Sequence, residues 1–498
     1  MAVVDWIIVF VYAASTIGLG WYCGRRQSTA REYFVGSGRM NPVLIGVSLF
    51  ATLLSTISYL AVPGEVLGKG PVYLTNYLAY PFVFVILGYV ILPAYMRRRV
   101  TSAYELLEER LGVSVRMLGV GMFLMLRLMW MSLLVYLTAK AIAIMMGVDE
   151  RWVPAIVAVT SVVAITYTSL GGLRAVVVTD LMQTILLYGG ALLVIGTVTV
   201  RMKGFGWFPT EWQADIWDRQ PVFSLDPSTR VTMVGSVLSI LVWLTCTSVG
   251  DQVTVQRFMA TENAGAARRA IGVQLVVALV VGSTLGMVGL ALLGYFQAHP
   301  ELLPEGITLA NNADKIFPHF IAFHLPPVVT GLVVSGLFAA AMSSIDSGVN
   351  SITAVVMTDV IDRFCGWQVT EEQHLRYARR LAVGIGVVVL LLSSVVEHVP
   401  GNFLEVTKKT ANLLTVPIAL LFIFAFFVPF ANPVGVWIGW FAGFVTAALI
   451  AFGGDIFGRN PVTGLAPVSF QWIAPGALTV GVVTGLIACK VFQKRDEQ

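Results

Sequence analysis

The chain has 498 residues, 57% of them hydrophobic and only 12% charged, with a formal net charge of +4 and a mean hydropathy of +0.81. Soluble domains carry about 25% charged residues, so this composition excludes a water-soluble globular enzyme, and the small charge gives no footing for nucleic acid. Cys23, Cys246, Cys365 and Cys489 lie far apart with no CxxC or Cys/His pairing, which argues against a zinc site or a disulfide framework.

A helical membrane span needs about 20 mostly apolar residues. In chain order such runs fall at 4–22, 43–63, 77–95, 117–147, 152–170, 174–199, 231–250, 270–295, 327–356, 378–398, 406–430, 433–453 and 472–492. The first carries Asp5 where a secretory leader would be basic, and Arg25-Arg26 follow it, so it reads as a retained span. No long soluble stretch interrupts the series. The expectation is therefore one all-α, polytopic membrane domain of about thirteen transmembrane helices over 1–498.

Positive charge sets the orientation. With the N-terminus outside, 20 Lys and Arg fall on inner loops and the C-terminal tail, as in Arg97-Arg98-Arg99, Arg257 and Arg379-Arg380, against 8 outside. Arg127, Lys140, Lys408 and Lys409 fall at membrane depth. This bias predicts an outside N-terminus and a cytoplasmic C-terminus in a cell membrane. The longest connections, 200–230 and 296–326, then lie outside. Trp207, Trp212 and Trp217 in the first suit an interfacial hairpin or short amphipathic helices.

Polar groups at membrane depth are costly and mark function by default. The second run places Ser48, Thr52, Ser55, Thr56 and Ser58 within eleven residues, ahead of Pro63-Gly64. This suits a broken helix whose freed carbonyls bind a cation, or a helix whose hydroxyls bond back to its own carbonyls. The ninth run reads Ala340-Ala341-Met342-Ser343-Ser344-Ile345-Asp346-Ser347-Gly348-Val349-Asn350, with Ser343 and Ser347 on one face and Asp346 beside them. In the sixth, Asp180 lies about 9 Å in from Arg174. An acid there needs a cation, a proton or a loop arginine. In the fourth, Arg127 either clamps a substrate carboxylate or pairs with a buried acid. Hard cations take oxygen ligands, which the second, sixth and ninth runs supply.

These residues resemble the sodium:solute symporter family. The resemblance rests on Glu32-Tyr33-Phe34, Phe50-Ala51-Thr52 through Ser58, Tyr104-Glu105-Leu106-Leu107-Glu108 and Gly171-Gly172 through Asp180 and Gln183. Asp251-Gln252-Val253 with Gln256-Arg257, and Ala340 through Asn350, extend it over nearly the whole chain. It implies a leucine-transporter fold with two inverted five-helix repeats near 43–199 and 231–430, one span before them and two after, at 433–492. It also implies alternating access around the point where the first helix of each repeat breaks.

By this resemblance Ala51, Leu54, Ala340, Ser343 and Ser344 form the main sodium site, and Asp180, Ser343 and Ser347 a second cation site. Asp346 stands where many members carry a small residue, and so either strengthens that second site or holds a proton. Ser55, Ser58, Arg127, Trp243 and Gln252 are the candidate substrate-binding residues. Arg127 favours an organic anion over a sugar. The expected function is sodium-coupled symport of a small polar organic solute, with sodium as coupling ion, no other cofactor, and no obligatory protein partner. A proton-coupled symporter of the same fold, a transporter-like sensor and a membrane enzyme are the competing readings. No HExxH or phosphate-cradling loop supports the last.

Overall fold

In a computed structural model of the chain, residues 1–25, 29–36, 38–98, 100–219, 221–303, 306–365, 370–394, 403–461 and 464–493 are described. No β-strand occurs among them. The helices are α1 (Val3–Gly24), α2 (Ala30–Val35), α3 (Pro42–Leu53), α4 (Thr56–Lys69) and α5 (Pro71–Met96). Then come α6 (Glu105–Met146), α7 (Val153–Arg201), α8 (Met233–Gly250), α9 (Gln252–Met259), α10 (Ala264–Ala298) and α11 (Ile316–Phe323). The last are α12 (Val329–Cys365), α13 (Glu371–Ser393), α14 (Phe403–Phe427), α15 (Pro433–Ala451) and α16 (Ile473–Gln493). The side chain of Lys408 and all of Arg26, Arg99, Lys494 and Arg495 lie outside the described residues.

Among the described residues, nine helices are long and apolar enough to cross a bilayer, or ten when the bent pair α3–α4 counts as one span. The remaining three of the thirteen expected spans rest on dividing α7 and on including α13 and α14. The 49 residues of α7 would extend about 74 Å as one rod, more than twice the roughly 30 Å of a hydrocarbon core. Gly172, at φ +54°, interrupts it in a conformation that costs glycine nothing.

Polar caps start the helices. Asn41 accepts from Val43 N–H ahead of Pro42 in α3, and Asn263 from Ala266 N–H in α10. Each cap is worth about 1 kcal/mol. Asp5 acts across the fold: its Oδ1 accepts the N–H groups of Val328 (2.8 Å) and Gly331 (3.0 Å), tying α1 to the start of α12. At the far end, Gly439 of α15 meets Gly481 and Gly485 of α16 backbone to backbone, the close approach that small residues at four-residue spacing permit.

The break in the second run falls at Leu54–Ser55, and Pro63 lies inside α4. One expectation needs correction. Arg257 is on α9 and fully buried, not in an inner loop. Trp212 of the 202–232 connection is exposed, and Trp207 and Trp217 are buried within the protein. Their indole N–H groups donate to Thr199 Oγ1 (2.9 Å) and to the Leu67 carbonyl (3.0 Å), fastening the 202–232 connection onto α7 and α4.

Candidate functional site

The first break is a 70° bend between α3 and α4. Leu54 and Ser55 are extended there, and Ser55 caps α4 by accepting from Ser58 N–H (3.2 Å). The backbone ladder of α3 ends with Leu54 N–H to the Phe50 carbonyl (2.9 Å), and that of α4 begins with Tyr59 N–H to the Ser55 carbonyl (3.0 Å). The carbonyls of Ala51 through Leu54 are therefore left without a helical partner. A buried carbonyl in that condition needs water or a cation. Ala51 and Leu54 are two of the expected sodium ligands.

The gap lies along α12. Thr52 Oγ1 is 3.1 Å from Ser347 Oγ, and Thr56 Oγ1 donates to the Leu337 carbonyl (3.1 Å). These contacts bracket Ala340, Ser343 and Ser344, which stand between Leu337 and Ser347 on α12. Ser344 Oγ is buried with no hydrogen-bond partner among the described residues, an orphaned oxygen on the stretch of α12 that these contacts bracket. That donor set fits a sodium ion.

The candidate second cation site is one connected network. Asp180 accepts from Ser48 Oγ, from Ser343 Oγ (2.6 Å) and from the Arg257 guanidinium (3.2 Å). Arg257 also donates to Ser48 Oγ (2.8 Å), Ser347 Oγ (2.7 Å) and the Val253 carbonyl (3.0 Å). Asp346 accepts from Tyr167 OH (2.7 Å) and Ser347 Oγ (3.1 Å). Asp180, Ser343, Asp346 and Ser347 are thus brought together as expected. The arginine paired with Asp180 is Arg257, not Arg174. The guanidinium pairs with Asp180 alone and reaches Asp346 only through Ser347.

A second broken helix mirrors the first in construction. α8 ends at Gly250, Asp251 is extended, and its carboxylate caps α9 by accepting from Val253 N–H (3.0 Å). Two of the carbonyls freed here are taken: Tyr95 OH donates to Val249, and Tyr104 OH to Gly250 (3.0 Å). The first break therefore leaves its carbonyls open, while the second has two of its own bonded to tyrosines.

Beside the first break opens a cavity walled by Phe50, Leu54, Tyr77, Trp130 and Trp243. Of the candidate substrate residues, Ser58 and Trp243 line it. Ser55, 1% exposed, is the helix cap behind Ser58. Arg127 is not on the wall. It is buried against Asp251, with Nε donating to Oδ1 (3.2 Å) and a second contact between NH2 and Oδ2. Gln252 is not on the wall either: it accepts from Ala103 N–H and donates to the Thr101 carbonyl, both at 2.7 Å, and so holds the 101–103 loop. Sequence reasoning missed Asn76 and Gln274, polar cavity residues on α5 and α10. Each is a lone amide in an apolar run, without the clustering that exposed the serines.

Two discontinuous helices, an uncommitted set of carbonyls at one break and a cavity alongside define a secondary active transporter. The chain belongs to the sodium:solute symporter family, whose model matches residues 33–443. A sodium/sialic acid symporter of Proteus mirabilis is 29% identical over 91% of this chain and 90% of its own length. The human sodium-coupled monocarboxylate transporter 1 is 26% identical over 90% of this chain and 73% of its own. The solved structure of a Na+-coupled sialic acid symporter, in a substrate-bound outward-open state with a novel Na+ site, superimposes with a TM-score of 0.84 at 25% identity, covering 98% of both chains. The protein is a multi-pass, leucine-transporter-type, sodium-coupled symporter of a small polar solute, and not an enzyme.

Proposed function

We propose that the solute is a small organic anion, bound in the cavity with its carboxylate at the N-terminus of α4. The carrying observation is the placement of Ser58: its hydroxyl lines the cavity in the first turn of a half-helix that begins at the break. The positive end of such a half-helix favours a carboxylate. Relatives named for sialic acid and for monocarboxylates support the same charge. Arg127 is the partner of Asp251 in this reading, and Gln252 a loop anchor.

Sodium binds at Ala51, Leu54, Ala340, Ser343 and Ser344. A second cation binds at the Asp180–Asp346 network. The two broken helices open the inverted repeats over 43–199 and 231–430. The N-terminus lies outside and the C-terminus in the cytoplasm: removing buried Arg257 from the inner tally leaves 19 inner cations against 8 outer ones.

The test is thermal stabilisation of the purified protein by sialic acid, lactate, gluconate and neutral sugars, each in sodium and in potassium. Stabilisation by carboxylates in sodium alone is expected. Stabilisation by neutral sugars alone would overturn the anion assignment. One observation favours a second reading, proton coupling: with Arg257 committed to Asp180, the Asp346 carboxylate needs a cation or a proton of its own. Stabilisation that tracks pH and ignores sodium would establish that reading.

A further inference from the structure

The cavity carries two amides whose hydrogen-bonding capacity nothing among the described residues uses. Asn76 is 5% and Gln274 is 3% exposed. Both side chains line the cavity, and neither has a hydrogen-bond partner among the described residues. Neither amide is among the polar side-chain atoms sealed away without a partner, so both open their hydrogen-bonding groups into the cavity. Two on one cavity wall point to a ligand that completes them.

Their spacing gives the ligand a shape. α5 runs antiparallel to α10, with Tyr77 against Gly282 and Leu74 against Gly286. Asn76 therefore sits at the level of Gly282 or just beyond. Gln274 is eight residues earlier on α10, about 12 Å along its axis. Pro63 of α4 lies against Gly289, and Gly46 of α3 against Ala270 and Val273. These contacts place Ser58 near the Asn76 level. The cavity thus has a carboxylate end with Ser58 and Asn76, and a far end with Gln274.

An amide both donates and accepts. It suits hydroxyl or acylamino groups, which do the same, and offers nothing to a hydrocarbon tail. The aromatic walls at Trp130 and Trp243 accept the apolar faces of a hydroxylated chain or ring. Resting on the anion reading above, we infer that Asn76 and Gln274 determine specificity, and that they select an extended, hydroxylated carboxylate of sugar-acid type over a plain monocarboxylate.

The experiment uses the full-length protein in proteoliposomes with gluconate and hexanoate, which share chain length and carboxylate but differ in their hydroxyls. Wild type is expected to take up gluconate in preference. Asn76→Leu and Gln274→Met, near-isosteric and apolar, are each expected to raise the half-saturating gluconate concentration about tenfold and to leave hexanoate within about twofold. Sodium-dependent stabilisation of each variant shows that it is folded. Wild-type preference for hexanoate, indifference to both probes, or equal effects of the variants on both would overturn the inference. If no carboxylate, lactate and sialic acid included, stabilises wild type in sodium, the anion reading itself fails. A preference for hexanoate with sodium dependence intact removes only the role of the amides.

Discussion

Arg257 meets Asp180 at 3.2 Å in the interior, and neither side chain is exposed at all. The guanidinium comes from α9, the second half of a broken helix, the carboxylate from α7, and Ser347 of α12 accepts a further bond from the same arginine. Three helices far apart in the chain are therefore joined at one ion pair.

Removing one member of such a pair strands the other. Arg257→Ala is expected to cost about 3–5 kcal/mol and to lower the melting temperature sharply. Adding Asp180→Asn should restore part of that loss. Melting curves of the single and double variants check this, and a double variant no more stable than the single would show that stranded charge is not the cause.

Ser344 and Ser343 separate sodium binding from folding. Ser344 Oγ has no partner among the described residues, so Ser344→Ala breaks no hydrogen bond there and should change stability by less than about 0.5 kcal/mol. Its sodium half-saturation should nevertheless rise about tenfold, which corresponds to the loss of one charge-assisted contact. Ser343→Ala should abolish sodium dependence and also lose about 1 kcal/mol, because Ser343 donates to Asp180 (2.6 Å). Sodium titration of uptake, paired with melting curves, distinguishes the two. Unchanged sodium dependence in both would remove α12 from the main site.

Arg127→Ala should impair uptake of anionic and neutral solutes equally, because its partner is Asp251 rather than the cavity. The loss belongs to stability, again about 3–5 kcal/mol. Uptake compared across charged and neutral solutes measures it. Selective loss of anions would return Arg127 to the substrate.

His324, on the 296–326 connection, gives the fold a pH limit. Burial, then the neighbouring His319 and Arg201, hold its imidazole down to about 4. Its Nε2 is buried without a partner. An unfolded histidine titrates near 6.5. Between those values the unfolded chain binds the proton and the folded one does not, so stability falls as pH drops through that window and levels off below it. His324→Phe, beside Phe320 (5.6 Å between ring centroids), should flatten this slope in melting temperatures taken from about pH 7 to about pH 4.

The spans were legible because lipid leaves long apolar runs, and the first break because hydroxyls cluster around it. Where it breaks was not legible. Pro63, a helix breaker by type, sits inside α4, and Gly64 provides close contact with Asp314. Asp180, Ser343, Asp346 and Ser347 could be gathered from the sequence, since each is out of place in hydrocarbon. Arg257 could not. Its neighbours are polar enough to pass for a loop, and its burial depends on a carboxylate 77 residues away. Gln252 misled for the converse reason: a side chain at a break was taken to face the solute, and its amide is used up by the 101–103 backbone.

Leu54 stands on the cavity wall and also ends the run of unpartnered carbonyls. With solute and sodium at their proposed sites, one residue therefore touches both passengers of the carrier. Whatever factor sodium adds to the affinity for solute, solute must return to sodium. A carrier wired this way resists travelling half-loaded, since a solute that leaves Leu54 unsettled also loosens the ion. Slippage of the gradient, rather than failure to bind, is then the defect to seek when this residue is reshaped.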